Sequence, residues 1–203
     1  MQDTTVILAN GDFPTHPTPL SYLQMAQRVV CCDGAANDYV RMGNLPDIVI
    51  GDGDSLDKET REKLAGRIIN VSEQEDNDLT KAFRYVMSQW PETNVVILGA
   101  TGKREDHMLG NIFHLADFCE DCRDIRMVTD FGIFIPCEGD SVFPSHLGQQ
   151  VSIFNISCRT LSSEGLKWPI SPFRKLWEGT LNESLFQEYS IQADGKYIVY
   201  QAF

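Results

Sequence analysis

Asp47-Ile48-Val49-Ile50-Gly51-Asp52-Gly53-Asp54-Ser55 reads as a short apolar strand that ends in glycines and carboxylates. A continuous apolar run, without polar alternation, marks a strand buried on both faces. The pattern recurs on either side. Upstream, Val6-Ile7-Leu8-Ala9 runs into Asn10-Gly11-Asp12, and Arg28-Val29-Val30-Cys31-Cys32 runs into Asp33-Gly34. Downstream, Arg67 to Val71 is a fourth strand, and Val95-Val96-Ile97-Leu98 a fifth that enters Gly99-Ala100-Thr101-Gly102. Helical spacing fills the gaps: Leu20, Leu23, Met25 and Ala26; Ala35 to Met42; Lys58 to Leu64; Leu79, Ala82, Phe83, Val86 and Met87, with Asn77 or Asp78 as cap; then Leu109, Ile112, Phe113 and Ala116. Strands alternating with helices predict an α/β, Rossmann-like N-terminal domain with a parallel sheet. In such sheets ligands bind beyond the carboxyl ends of the strands. Asp33-Gly34, Gly51 to Ser55 and Gly99 to Asp106 are therefore expected to share one edge and line one cleft.

After about Cys122 the helical periodicity fades. Met127-Val128, Ile133 to Ile135, Gln150 to Ile156 and Tyr197 to Tyr200 read as strands, and Asp194-Gly195 as a hairpin turn. This predicts a boundary near residue 138. Residues 1–138 would form the α/β catalytic domain, and 139–203 a small all-β sandwich or barrel.

The chain has 203 residues, 42% hydrophobic and 23% charged, with a formal net charge of -12. Acidity argues against nucleic acid as partner, because phosphate backbones are bound through cations. It also means that a phosphate ligand would need a metal ion, a few placed cations or backbone N–H groups. No apolar run is long enough to span a bilayer, and the opening residues lead into a strand rather than a signal peptide. A cytoplasmic protein without membrane contact is the expectation. The six cysteines are read as reduced thiols. Cys119-Glu120-Asp121-Cys122 closes a helix and has no second ligand pair, which argues against zinc or redox chemistry.

Four segments carry candidate chemistry. Asp52 and Asp54, two apart beyond a strand, suit one magnesium ion shared with phosphates. Taken alone, the pair suits better a polar turn with Asp54 or Ser55 capping the next helix. The acidic run Glu73 to Asp78 precedes a helix, where carboxylates favour the N-terminus. Lys81, a turn later, could meet a phosphate or simply offset those acids. Gly99 to His107 brings Lys103 and Arg104 to an acidic edge but matches neither a P-loop nor G-x-G-x-x-G. His107 and His114 share a helix face, as capping or core residues or as a zinc pair. In Gly165-Leu166-Lys167-Trp168, the tryptophan suits either stacking on a flat cationic ligand or core filling.

Taken in order, Asn10-Gly11, Asp33 to Asn37, Gly51 to Ser55, Asp78 to Ala82, Gly99 to His107 with Asn111, and Gly165 to Trp168 resemble the thiamin pyrophosphokinase family. The resemblance implies transfer of a diphosphate from ATP to the hydroxyl of thiamin, with AMP leaving, in a homodimer that binds thiamin near the subunit interface. It implies Mg2+ held by Asp52, Asp54 and Asp78. ATP would be bound by those aspartates with Lys81, Arg104, Asp106 and His107. Thiamin would be bound by Asp33, Gln74, Asp78, Trp168 and Asn182. Asp33, Asp78 and Arg104 would be catalytic, with Asp33 the freer base. The chain departs from the family pattern at Lys103, where a second glycine is common, and at Glu75 and Asn77. In Thr180-Leu181-Asn182 it also has leucine in place of serine. A phosphotransferase or nucleotide hydrolase with another acceptor, and a non-catalytic thiamin or nucleotide sensor, are the competing expectations.

Overall fold

The computed structural model describes residues 3–71, 73 and 75–203. They form two compact units: one comprises residues up to His114 together with Met127–Asp130, the other Leu115–Arg126 and Phe131–Phe203.

The first unit alternates β1 (Thr4–Leu8), α1 (Pro17–Met25), β2 (Arg28–Cys32), α2 (Ala35–Arg41), β3 (Ile48–Gly51), α3 (Lys58–Lys63), β4 (Ile68–Asn70), α4 (Asp78–Gln89), β5 (Asn94–Leu98) and α5 (Glu105–Phe118). β1 pairs in parallel with β2 on one side and β5 on the other, and β2, β3 and β4 continue the parallel ladder. The apolar runs are the reason. Val6, Ile7, Leu8, Val30, Val49, Ile50, Val95, Ile97 and Leu98 are almost wholly shielded from solvent. Strands buried on both faces need helices above and below, which parallel crossovers provide. The chain crosses from β4 back past β1 to β5, so the connections leaving β1 and β5 diverge. A crevice opens at this point in sheets of this class.

The starts of α3 and α4 are capped by short polar side chains. Asp57 Oδ1 accepts from the Thr60 N–H at 2.7 Å, and Asn77 Oδ1 accepts from the Thr80 N–H at 2.8 Å. The cap of α3 is thus Asp57, and neither Asp54 nor Ser55 is used for it.

Beyond α5, β6 (Ile125–Val128) lies next to β5, and β7 (Gly132–Glu138), β8 (Ser141–Pro144), β9 (Gln150–Asn155), β10 (Leu161–Glu164), β11 (Asn182–Glu183), β12 (Glu188–Ala193) and β13 (Lys196–Ala202) follow. In the second unit β7, β13, β9 and β11 form one antiparallel layer, and β8, β12 and β10 another. Phe143, Val151, Ile153, Leu161, Tyr189, Ile191, Tyr197 and Val199 fill the space between the layers. This is a sandwich, as the alternating burial of β9 and β12 requires.

Two expectations change. β7 pairs along its whole length with β13, so the residues from Phe131 to Glu138, together with Leu115–Arg126, group with the β-rich unit, while Met127–Asp130 stays with the α/β unit. Asp194-Gly195 is not a hairpin turn. β12 pairs with β8 and β10 while β13 pairs with β7 and β9, so the turn carries the chain from one layer to the other. The Asp194 carboxylate stabilises that corner by accepting from the N–H groups of Arg159 and Thr160.

Candidate functional site

The carboxyl ends of the parallel strands open onto a cleft of about 500 Å³ in the first unit. Its lining includes Asn10 and Gly11 after β1, Asp52 and Ser55 after β3, Asp76 to Leu79 and Lys81 at the start of α4, and Ala100, Gly102 to Arg104 and His107 after β5, whereas Asp33-Gly34, expected to share the cleft, is not part of the lining. The β1 and β5 connections are joined by backbone hydrogen bonds, with the Gly11 N–H donating to the Gly99 carbonyl at 2.6 Å and Asp12 N–H to that of Thr101 at 2.9 Å. A Cβ on Gly11 would run into both carbonyl oxygens. Only glycine permits this approach.

The carboxylates gather without full compensation. Asp33 is buried, with a left-handed φ of 37°. Its Oδ2 accepts from the Ser55 N–H at 3.1 Å, while Oδ1 is buried without a hydrogen-bond partner. Asp78 opens α4, its Oδ1 3.5 Å from the ammonium of the buried Lys81. Burial raises the Asp78 pKa above the ordinary carboxylate value. Lys81 opposes that shift, and the charges of Asp33 and Asp52 add to it. Asp52 Oδ1 accepts from the Asp54 N–H at 3.0 Å across Gly53, whose φ of 79° makes the turn that the sequence called for. The Asp54 side chain is exposed and outside the cleft lining.

The cations differ in how they are held. Arg104 donates from Nε and Nη2 to Asp106 at 3.0 and 2.5 Å, a bidentate pair that lowers the Asp106 pKa to about 2. Lys103 has a φ of 53° and donates from Nζ to the backbone carbonyl and side-chain Oδ1 of Asn10, at 3.1 and 3.2 Å. A lysine in this region is strained by about 1 kcal/mol or more. His107 also lines the cleft, its N–H donating to Asp106.

Two asparagines carry more than their spacing suggested. Asn111 Nδ2 donates to the Ala100 carbonyl at 3.0 Å, and its Oδ1 accepts from Asn77 Nδ2 at 3.3 Å. It therefore ties the β5 connection to the cap of α4. Asn10, read only as a turn residue, holds Lys103. Local turn and cap signals hide such roles, because both partners are distant in sequence.

The second unit has its own cleft of about 290 Å³, lined by Trp168, Pro169, Phe173, Glu178, Gly179, Thr180, Leu181 and Asn182. Trp168 is half exposed, so it is a surface ring and not a core filler. Asn182 is buried and its amide is consumed by the tryptophan's backbone. Oδ1 accepts from the Trp168 N–H at 3.1 Å, and Nδ2 donates to the Trp168 carbonyl at 2.8 Å. Leu181 is exposed with a φ of 64°. Gln74 lies outside the described residues.

Among the described residues, no three His, Cys, Asp or Glu side chains stand where they would hold a metal ion unaided. A magnesium site of the phosphate-completed kind needs only one or two carboxylates. Asp52 and Asp78, the raised Asp78 pKa and the unpartnered Asp33 oxygen fit that kind of site. All six cysteines are free, and no described helix is long and apolar enough to cross a membrane.

The fold and site define a two-unit protein, a parallel α/β unit with a polar cleft at the carboxyl ends of its strands and an all-β companion unit. Residues 20–128 match the family model for the thiamin pyrophosphokinase catalytic domain, and residues 132–200 match that for the thiamin pyrophosphokinase substrate-binding domain. The chain belongs to the thiamin pyrophosphokinase family. It is 34% identical over 154 residues to thiamine pyrophosphokinase 1 of Oryza sativa subsp. japonica, covering 64% of this chain and 57% of that one. It is 29% identical over 99 residues to thiamin pyrophosphokinase 1 of Caenorhabditis elegans, covering 45% and 40%. Across the curated relatives it spans 40 to 57% of their length. The fold matches that of thiamin pyrophosphokinase from Candida albicans with a TM-score of 0.84 at 17% identity, covering 100% of this chain and 89% of that one. It matches the Bacillus subtilis structure at 0.82 and 20%, covering 98% and 99%.

Proposed function

We propose that this protein transfers a diphosphate group from ATP to the hydroxyl of thiamin, releasing AMP. The observation that carries the reading is the cleft at the carboxyl ends of the parallel strands, lined by Asp52 and Asp78 together with Lys81, Lys103 and Arg104. Phosphoryl-type transfer needs positioning and charge neutralisation more than covalent help, and this lining offers both. Asp52 and Asp78, with Asp54 from the same turn, would hold Mg2+ on the nucleotide. Bound there, the ion would neutralise charge developing on the phosphate oxygens. Lys81 and Arg104 provide fixed positive charge, and Asp106 and His107 border the nucleotide. Asp33, which has one buried oxygen without a hydrogen-bond partner, is assigned to accept or orient the proton of the attacking hydroxyl. Trp168 is the stacking surface for the flat cationic thiamin, with Asn182 fixing its backbone. The acidic surroundings suit that cation. The working form is a homodimer with thiamin near the subunit interface. Six free thiols suit a reducing compartment, the cytoplasm.

The test is a discontinuous assay with ATP, magnesium and thiamin that resolves AMP and thiamin diphosphate, with and without chelator. Equal amounts of both products, abolished by the chelator, are expected. ADP or free pyrophosphate in their place would mean another acceptor or hydrolysis. Magnesium-independent thiamin binding without turnover would mean a sensor.

A further inference from the structure

Three Lys or Arg side chains line the cleft, and two are matched to carboxylates. Lys81 faces Asp78 and Arg104 is engaged by both oxygens of Asp106. Lys103 differs. Its ammonium is exposed and touches only the two neutral oxygens of Asn10, and no carboxylate among the described residues pairs with it. In a chain with a net charge of -12, a cleft cation without a counter-ion is notable. The backbone of Lys103 is also held in a left-handed conformation that disfavours any side chain, so the ammonium is placed there at a cost in stability. Strain of this kind collects at ligand sites. A cation held at the mouth by neutral acceptors keeps its charge available for an anion entering the cleft.

We infer that Lys103 contacts phosphate in this protein's nucleotide site and is a determinant of its affinity for a nucleoside triphosphate, adding to Lys81 and Arg104 a charge that no carboxylate among the described residues offsets. The inference rests on the nucleotide reading of the cleft. It distinguishes two neighbouring cations, the lysine held by neutral oxygens and the arginine paired with Asp106.

The test uses the magnesium complex of α,β-methylene ATP as probe, with wild type, Lys103→Met, Lys103→Gly and Lys103→Arg. Methionine keeps the length and the strain but removes the charge, glycine removes both, and arginine keeps the charge. Loss of one charge-assisted contact should weaken probe binding about ten-fold or more in both the methionine and glycine variants. Arginine should restore most of it. Wild-type affinity should fall more steeply with ionic strength than that of Lys103→Met, and the glycine variant should melt no lower than wild type. Methionine and glycine variants that bind within about two-fold of wild type overturn the inference, because that is below the effect of a charged hydrogen bond. So does weakened binding with unchanged salt dependence and a lowered melting temperature, which would reduce Lys103 to a tie for Asn10. Wild-type protein that binds the probe with this charge dependence, yet forms no thiamin diphosphate from ATP, removes the transfer reading and leaves the Lys103 assignment standing.

Discussion

Asp78 shows how single residues in this cleft trade stability for chemistry. Its carboxylate is partly buried, near Asp33 and Asp52, with Lys81 as its one cation. The folded state therefore disfavours the charged form. For an acid with a raised pKa, the penalty is absent below the ordinary value and grows as pH rises through the raised one. Asp78→Asn should melt above wild type at pH 7 without magnesium or nucleotide, and the advantage should shrink near pH 4. The same substitution should lower diphosphate transfer by about 100-fold or more if Asp78 helps neutralise the transferring phosphates. Calorimetry at the two pH values and the product assay check the two halves. An Asp78→Asn protein less stable than wild type at pH 7 would mean that the Lys81 interaction outweighs the crowding of carboxylates.

At the scale of elements, the β1 and β5 connections act as one piece. Their hydrogen bonds require backbone contact at Gly11, so Gly11→Ala must push the two segments apart. Overpacking of this sort costs about 1–3 kcal/mol. Denaturant unfolding should show a loss of that size, with weaker nucleotide binding, because Asn10, Ala100 and Gly102 to Arg104 line the cleft. In the second unit, the corner at Asp194-Gly195 depends on a carboxylate whose pKa is lowered by the Thr160 and Arg159 N–H groups. A lowered pKa contributes stability above the ordinary Asp value that is lost as pH falls. Asp194→Ala should therefore be destabilised at neutral pH, and the gap from wild type should narrow below about pH 4. A gap independent of pH would mean that the side chain's packing, not its charge, holds the corner.

For the whole molecule, the charge balance sets the order of ligand preference. If the proposed reaction is right, a net charge of -12 would attract the cationic acceptor and repel free triphosphate, so the nucleotide would depend on a metal ion and the placed cations. The KM for thiamin should rise with ionic strength, by roughly a few-fold between low and high salt. Initial rates at fixed magnesium and varied potassium chloride measure this, and a flat response would show that thiamin binds by stacking alone.

The sequence by itself determined the parallel sheet, its carboxyl edge and the segments that meet there. Burial on both faces leaves an unbroken apolar run, and the polar residues that end each run have to lie outside the layer. The Asn77 cap and the Gly53 turn were legible for the same local reason. Tertiary structure alone decided the rest. Whether Asp194-Gly195 folds a hairpin or turns a corner depends on which layer needs Tyr197 and Val199 in its core, and β7 joins the sandwich because β13 is its partner. Asn182 became a clamp on Trp168, and Lys103 came to rest on Asn10, through contacts 14 and 93 residues apart. Such pairings leave no periodicity in the chain, because packing of distant segments, not local propensity, selects them.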